Sequence, residues 1–115
     1  MLVSSARVRY EPLRSVAFGT ITSGYEGVGL PFANPVRILK VTNLSNENIL
    51  VSFNGIDDHD VVSAYGFFLY DYSSNKANAA GFLEQPQGDR VYVRAAGTLP
   101  TVGNVYVTVV YASQV

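Results

Sequence analysis

The chain has no cysteine and no tryptophan, a single histidine and little charge. Without cysteine there is no disulfide, no thiolate nucleophile and no zinc–thiolate centre, so stability has to come from packing. Eight Lys and Arg against nine Asp and Glu leave a net charge of −1. No basic cluster stands out, which removes the electrostatic footprint of nucleic-acid binding. No stretch approaches the about 18 apolar residues of a membrane-spanning helix, and MLVSSARVRYEPLRS lacks the basic segment and apolar run of a secretion signal. The expectation is a soluble protein used without secretion. An apolar 3.6-residue period, an internal repeat and a long low-complexity tract are also missing, so helices and repeat architectures are not expected.

What is present is apolar. Hydrophobic residues make up 48% of the 115 and charged residues 15%, a balance that excludes disorder and leaves little charge for a long solvated surface. The length suits one core and no second folded unit, so residues 1–115 are read as a single domain. Part of its surface is expected to be covered by neighbours.

Short β-branched and aromatic runs follow one another along the chain. Arg7–Glu11 and Arg14–Thr22 read as strands, the first at a sheet edge because Pro12 cannot donate to a ladder. Residues 23–35, SGYEGVGLPFANP, hold three glycines and two prolines and read as a long loop. Val36–Asn43, Ile49–Phe53, Val61–Val62, Phe67–Tyr72, Gly81–Glu84, Arg90–Ala95 and Val105–Tyr111 read as further strands. Phe67–Tyr72 is apolar on both faces, which points to a strand covered on both sides. The segments MLVSSAR and ASQV read as flexible ends. The fold class that results is all-β: an antiparallel β-sandwich, jelly-roll-like, or a closed barrel of about seven to eight short strands.

The stretch that most resembles chemistry is Asn54-Gly-Ile-Asp-Asp-His-Asp60, with the only histidine and three carboxylates. Asn-Gly between two apolar runs is a hairpin signal. A metal site would need ligands converging from several elements, and there is no second histidine and no calcium-loop spacing. Asp57 and Asp58 are neighbours whose side chains diverge on extended backbone. The stretch is therefore read as a solvated hairpin loop. No Gly-x-Ser-x-Gly elbow supports a serine nucleophile, and Gly24, Gly27 and Gly29 lack the Lys-Ser/Thr of a phosphate loop. No catalytic residue, metal or cofactor is expected.

Tyrosine is the feature that stands out, with eight in the chain. A ring that packs while its hydroxyl finds a polar partner suits both a strand surface and a subunit interface. Tyr65, Tyr92 and Tyr106 are the candidates on or beside strands. Tyr25, Leu30 and Phe32 are candidates in the long loop, which carries three large apolar residues without a strand pattern to bury them.

The succession FGTITSGYEGVGLPFANPVRILKVTNLSNENILVSFNGIDDHD, then AYGFFLYDYSSNK, then a closing VYVRAAGTLPTVGNVYVTVVYA hairpin resembles small virion-associated proteins of tailed bacteriophages, over about Leu13 to Ala112. None of these marks is a catalytic motif. The resemblance implies a non-enzymatic particle component, assembled in the host cytoplasm and located in the virion. Its partners would be copies of itself and other virion proteins such as capsid or portal-region proteins, with no direct contact to nucleic acid or membrane. Capsid decoration, a place at the head–tail junction and a tail accessory role all fit that resemblance. A carbohydrate-binding sandwich is the rival of another class, favoured if several tyrosines line one exposed face. An enzyme would require a deep pocket with convergent carboxylates.

Overall fold

The computed structural model describes residues 6–72, 76–77 and 81–114. The expected flexible N-terminal end through Ser5 and most of the SSNKANAAG loop lie outside these residues. Eleven strands follow in chain order: β1 Ala6–Tyr10, β2 Arg14–Ala17, β3 Glu26–Gly27, β4 Ile38–Asn43, β5 Ile49–Ser52, β6 Asp60–Val62, β7 Phe67–Asp71, β8 Lys76–Ala77, β9 Gly81–Phe82, β10 Tyr92–Ala95 and β11 Asn104–Gln114. Helical structure among the described residues is confined to short 3-10 turns such as Phe18–Thr20. None is long and apolar enough to cross a membrane. The all-β sandwich read from the sequence is what the chain forms.

Two antiparallel sheets make the sandwich. The large one runs β1, β11, β4, β7, with β2 also on β11, and the small one runs β3, β10, β5, β6. β11 is the longest strand, eleven residues of mainly β-branched and aromatic side chains, the composition that best fits a pleated surface. One side of it takes β1 along Val110–Gln114 and β2 along Asn104–Val107. Its other side takes β4 from Val105↔Asn43 to Val110↔Ile38. Between β1 and β2 the chain has one residue more than β11. Tyr10 opposes Val110 and Arg14 opposes Val107, so Glu11-Pro12-Leu13 bulges where proline would otherwise break the ladder. Ala6, Arg7 and the ASQ segment, expected in loose ends, pair with each other in β1 and β11.

Alternation then decides the core. Val105, Val107 and Val109 of β11, Leu39 and Val41 of β4 and Val16 of β2 face Ile49 and Val51 of β5, Val93 and Ala95 of β10 and Val62 of β6, all buried in one cluster. β7 adds Phe68 and Tyr70 to its rim, where Tyr70 packs between Phe68 and Tyr72 and against Phe53, with ring centroids 4.7 to 6.0 Å apart.

Two expectations change. The closing VYVRAAGTLPTVGNVYVTVVYA segment is not a hairpin: β10 pairs with β3 and β5 in the small sheet, whereas β11 lies in the large one. Both runs alternate correctly, but the linker crosses between layers, and at Gly103 (φ +94°) it passes so close to the Leu44 carbonyl that a Cβ would collide. The second change is β7, expected to be covered on both sides: this edge strand packs Phe68 and Tyr70 on the core but leaves Phe67 and Leu69 of its other face 66% and 50% exposed.

Asn43 is the fully buried polar residue that locks one end of the sandwich. Its Nδ2 donates to the carbonyls of Glu47 (2.8 Å), Val62 (3.2 Å) and Ser63 (3.1 Å), while its Oδ1 accepts from Ser45 N–H (2.9 Å) and Oγ–H (2.6 Å). One side chain thus ties β4 to both ends of the β5–β6 hairpin. Leucine at this position would match the volume and strand several buried carbonyls. Asn43→Leu is expected to lower unfolding free energy by about 3 kcal/mol, read from urea denaturation; a change within the error of the midpoint would show that this network contributes nothing.

Candidate interaction surface

The loop from Phe53 to His59 joins β5 to β6 and is wired internally. Ser52 Oγ accepts from the N–H groups of Asn54 (3.2 Å) and Gly55 (2.9 Å), and Asn54 Oδ1 accepts from those of Ile56 and Asp57 (both 2.9 Å). Gly55 takes the left-handed backbone (φ +75°) that the Asn-Gly signal anticipates. Phe53 N–H donates to His59 Nδ1 at 3.0 Å, with the two rings stacked. The carboxylates each have a separate partner. Asp57 accepts from Asn54 Nδ2 (2.8 Å), Asp58 from Arg94 (2.9 Å) and the Tyr25 hydroxyl, and Asp60 from the Tyr70 hydroxyl. Arg94 first, and then Tyr25, hold Asp58 below the usual carboxylate range. The hairpin loop read from the sequence is there, but it is a brace between β10, β7 and the long loop more than a free solvated turn. Among the described residues no group of three His, Asp or Glu side chains converges to hold a metal ion.

The long loop is likewise part of the domain. Val28 N–H donates to Val91 O and Phe32 N–H to Asp89 O, both at 2.8 Å, so the loop runs along the segment leading into β10. This places Val28 and Phe32 in the core. Phe32, expected at a subunit interface, is only 2% exposed: backbone pairing without a strand pattern buries it in its own chain. A clamp fixes the loop from the other side. Glu11 and Arg14, at the two ends of the bulge, form an ion pair of 2.7 Å that is almost wholly buried. Arg14 donates further to the carbonyls of Leu30 (2.9 Å) and Pro31 (3.2 Å), and Glu11 accepts from Ala33 N–H (3.3 Å) and Asn34 Nδ2 (2.9 Å). The guanidinium sits over the Phe32 ring, 5.4 Å from its centroid. Outside the clamp lies an open cleft of about 500 Å³, lined in part by Tyr10, Leu13, Leu30 and Pro31.

The larger feature is the outer face of the large sheet. Residues directly opposite in a ladder share a face, so the register sets Tyr10, Val110, Ile38 and Asp71 in one row. It sets Thr108, Lys40 and Leu69 in the next, and Tyr106, Thr42 and Phe67 in a third. Val8, two residues from Tyr10, extends the first row. No element of the described chain packs on this face. Val8 is 63%, Tyr10 71%, Phe67 66% and Leu69 50% exposed, and Lys40 and Asp71 are the charged side chains among these three rows. An apolar face of this breadth on a monomer marks an interaction site.

Beside it, the turn Ser63–Gly66 closes through Gly66 N–H to Ser63 O (2.9 Å) and holds Tyr65 at φ +59°. Tyr65 is the only non-glycine residue with positive φ among those described, at a turn position that glycine or asparagine normally fills. The turn carries this strain while its ring stands 65% exposed.

Of the six residues singled out from the sequence, Tyr65 and Tyr106 border or belong to this face, and Leu30 is exposed beside the cleft. Tyr25 and Tyr92 lie on the small-sheet side, stacked with Arg94 and Arg90 respectively, and Phe32 is core. Sequence reading missed Val8, Tyr10, Phe67 and Leu69. The signal for the last two was the doubly apolar β7 pattern, which was read as a strand covered on both sides although Phe67 and Leu69 stand exposed.

Two outcomes follow from this geometry. Tyr65→Gly is expected to raise the stability of the isolated chain by roughly 0.5–1 kcal/mol, because strain is relieved and little burial is lost; an unchanged or lower urea midpoint would contradict a strained turn. Burial raises the Glu11 pKa, but the hydrogen bonds from Asn34, Arg14 and Ala33 and the charge of Arg14 outweigh it, leaving the value below the ordinary 4.5. A lowered folded-state value gives stability that is complete above the unfolded value and lost as pH falls through the folded one. The clamp should therefore hold above about pH 4.5 and weaken below it, and Glu11→Gln should flatten that part of the stability profile, as followed by thermal melts in acid.

No protein-family model and no curated protein sequence matches the chain. Among solved structures the chain is similar to the SPP1 Dit protein, described as a paradigm of the hub adsorption apparatus in phages infecting Gram-positive bacteria, with 11% identity and a TM-score of 0.40. That alignment covers 90% of this chain and 49% of the other, so the chain spans about half the length of that protein. A likeness of this degree assigns neither fold nor role.

Proposed function

We propose that the chain is a non-enzymatic structural component of a tailed-phage virion that binds identical subunits and neighbouring particle proteins, decorating or stabilising the capsid. The observation that carries the adhesive part is the uncovered apolar face of the large sheet, with Val8, Tyr10, Phe67 and Leu69 exposed. The virion part is supported by the segments from FGTITSGYEG to VYVTVVYA that resemble small phage virion proteins. The physics agrees with such a role. A small sandwich whose two sheets already share one core gains by burying its second apolar face against a partner. A carbohydrate platform finds less support, because the tyrosines are spread over both sheets and the Ser63–Gly66 turn, with no single row of rings.

Adhesion through this face should depend on apolar area and little on salt, since one lysine and one aspartate cannot drive a screened contact. Phe67→Lys and Val8→Lys should each weaken particle binding by about 1–3 kcal/mol, at low and high salt alike, with folding intact by circular dichroism. Cosedimentation with purified particles reads the effect. Equal binding by wild type and both variants would remove this face from the function. Labelled protein seen on the capsid lattice by electron microscopy supports decoration, whereas label at the neck or tail would replace it with a junction or tail role.

A further inference from the structure

The edges of the two sheets differ in how they are protected. β3 has two residues and β6 three, the latter beginning with Asp60. The β1–β2 edge is interrupted by the Pro12 bulge and carries Arg7 and Arg9. Short strands, bulges, proline and charge are the devices that prevent an edge from pairing. β7, by contrast, is five residues long with sequence FFLYD. It has no bulge, proline, lysine or arginine, and its one charge, Asp71, is its last residue.

The ladder fixes which groups its open side presents. Gly66 O accepts from Asn43 N–H (2.8 Å) and Tyr72 N–H donates to Arg37 O (2.9 Å), both toward β4. Because backbone groups alternate along an antiparallel strand, those of Phe68 and Tyr70 also face β4, and those of Phe67, Leu69 and Asp71 point away from it. Among the described residues no strand pairs with that side. The residues whose backbone groups face outward, Phe67, Leu69 and Asp71, are the ones whose side chains lie on the outer face, two of them apolar, and the strained Tyr65 stands exposed two residues before Phe67.

From this we infer that β7 is a docking strand for a second copy of the chain, pairing antiparallel with the partner's β7 about a two-fold axis near Leu69. The inference rests on the adhesive reading above and names its geometry. A two-fold contact needs only self-complementarity. Overlap of the full strand puts its middle residue, Leu69, opposite its own copy, matches outward-facing backbone groups with outward-facing ones, and joins two apolar outer faces into one. A foreign strand would need a complementary sequence that nothing here specifies. The one charge on β7 is Asp71, which this register sets opposite Phe67 of the other copy, so the two aspartates lie at opposite ends of the pair, and a net charge of −1 adds little repulsion between copies. One strand pair with its flanking tyrosines covers less than the about 1,000 Å² of a standard stable interface, so the isolated dimer should be weak, of micromolar order, and gain strength in an array.

The chain lacks cysteine, so a single introduced cysteine can form only intermolecular disulfides. Leu69→Cys is expected to yield a covalent dimer under mild oxidation far faster than Val8→Cys or Ile56→Cys, both at exposed positions remote from the axis. In sedimentation equilibrium, Leu69→Lys and Leu69→Pro should raise the dissociation constant at least tenfold. The proline removes only an outward N–H, and the lysine variant carries the test if the proline variant fails to fold. Cross-linking of Leu69→Cys no faster than Ile56→Cys, unchanged association of the lysine variant, a monomeric wild type, or capture of Leu69→Cys solely by another particle protein would each overturn the inference. Apart from the capture experiment, these measurements need no particles. Wild-type protein that binds particles but never itself contradicts only the β7 pairing, and a dimer without particle affinity contradicts only the virion role.

Discussion

The large sheet carries large apolar side chains on both faces while the described residues supply a cover for only one, and the rest of the structure follows from that mismatch. β11 sets it. Val105, Val107 and Val109 turn inward onto the small sheet, and Tyr106, Thr108 and Val110 turn outward. The strands paired to it inherit both faces through the register, so β4 contributes Leu39 and Val41 inward and Ile38 outward. β7, one strand further, contributes Phe68 and Tyr70 inward and Phe67 and Leu69 outward. A sheet built this way is complete only when something else lies against it.

The remaining devices keep the covered side closed without help from the other. Asn43 draws the β5–β6 hairpin onto the end of β4, and the Glu11–Arg14 clamp holds the long loop over the other end with Phe32 beneath the guanidinium. Both are buried polar groups whose partners are satisfied almost throughout, which is what makes them stabilising where an unpaired charge would be costly. The loop after β5 adds a third brace through Asp58 and Arg94. Stability is thus internal to the sandwich, and the outer face is left free to evolve as a contact surface.

Much of this was legible in the sequence. Alternation located β4, β5, β7, β10 and most of β11, Pro12 placed β1 at an edge, and Asn-Gly marked the hairpin loop. What alternation reports is which face a residue occupies, never which strand lies beside it. For that reason VYVRA and VYVTVVY looked like a hairpin although they belong to different sheets, and FFLYDY looked central although it is an edge. Phe32 escaped because it reaches the core from a loop held by backbone pairing to Val91 and Asp89, a long-range contact with no local signature. Glu11 and Arg14 escaped because a bulge, set by the count of residues on the opposite strand, is what brings them together. For the candidate surface, composition indicated that some apolar area needed a neighbour, and tyrosine count pointed to aromatics. Only the register shows that the area is a single face, and that Tyr25 and Tyr92 lie on the other side of the molecule.

The central claim is that this face is covered when the protein is at work. Hydroxyl-radical footprinting of the free chain and of the chain bound in its particle reads side-chain exposure at each position in the two states. The account predicts strong protection of Tyr10, Phe67 and Leu69 on assembly, with Ile56 on the β5–β6 loop labelled equally in both. Protection confined to the small-sheet side, with Phe67 and Leu69 as reactive in the particle as in solution, would contradict it.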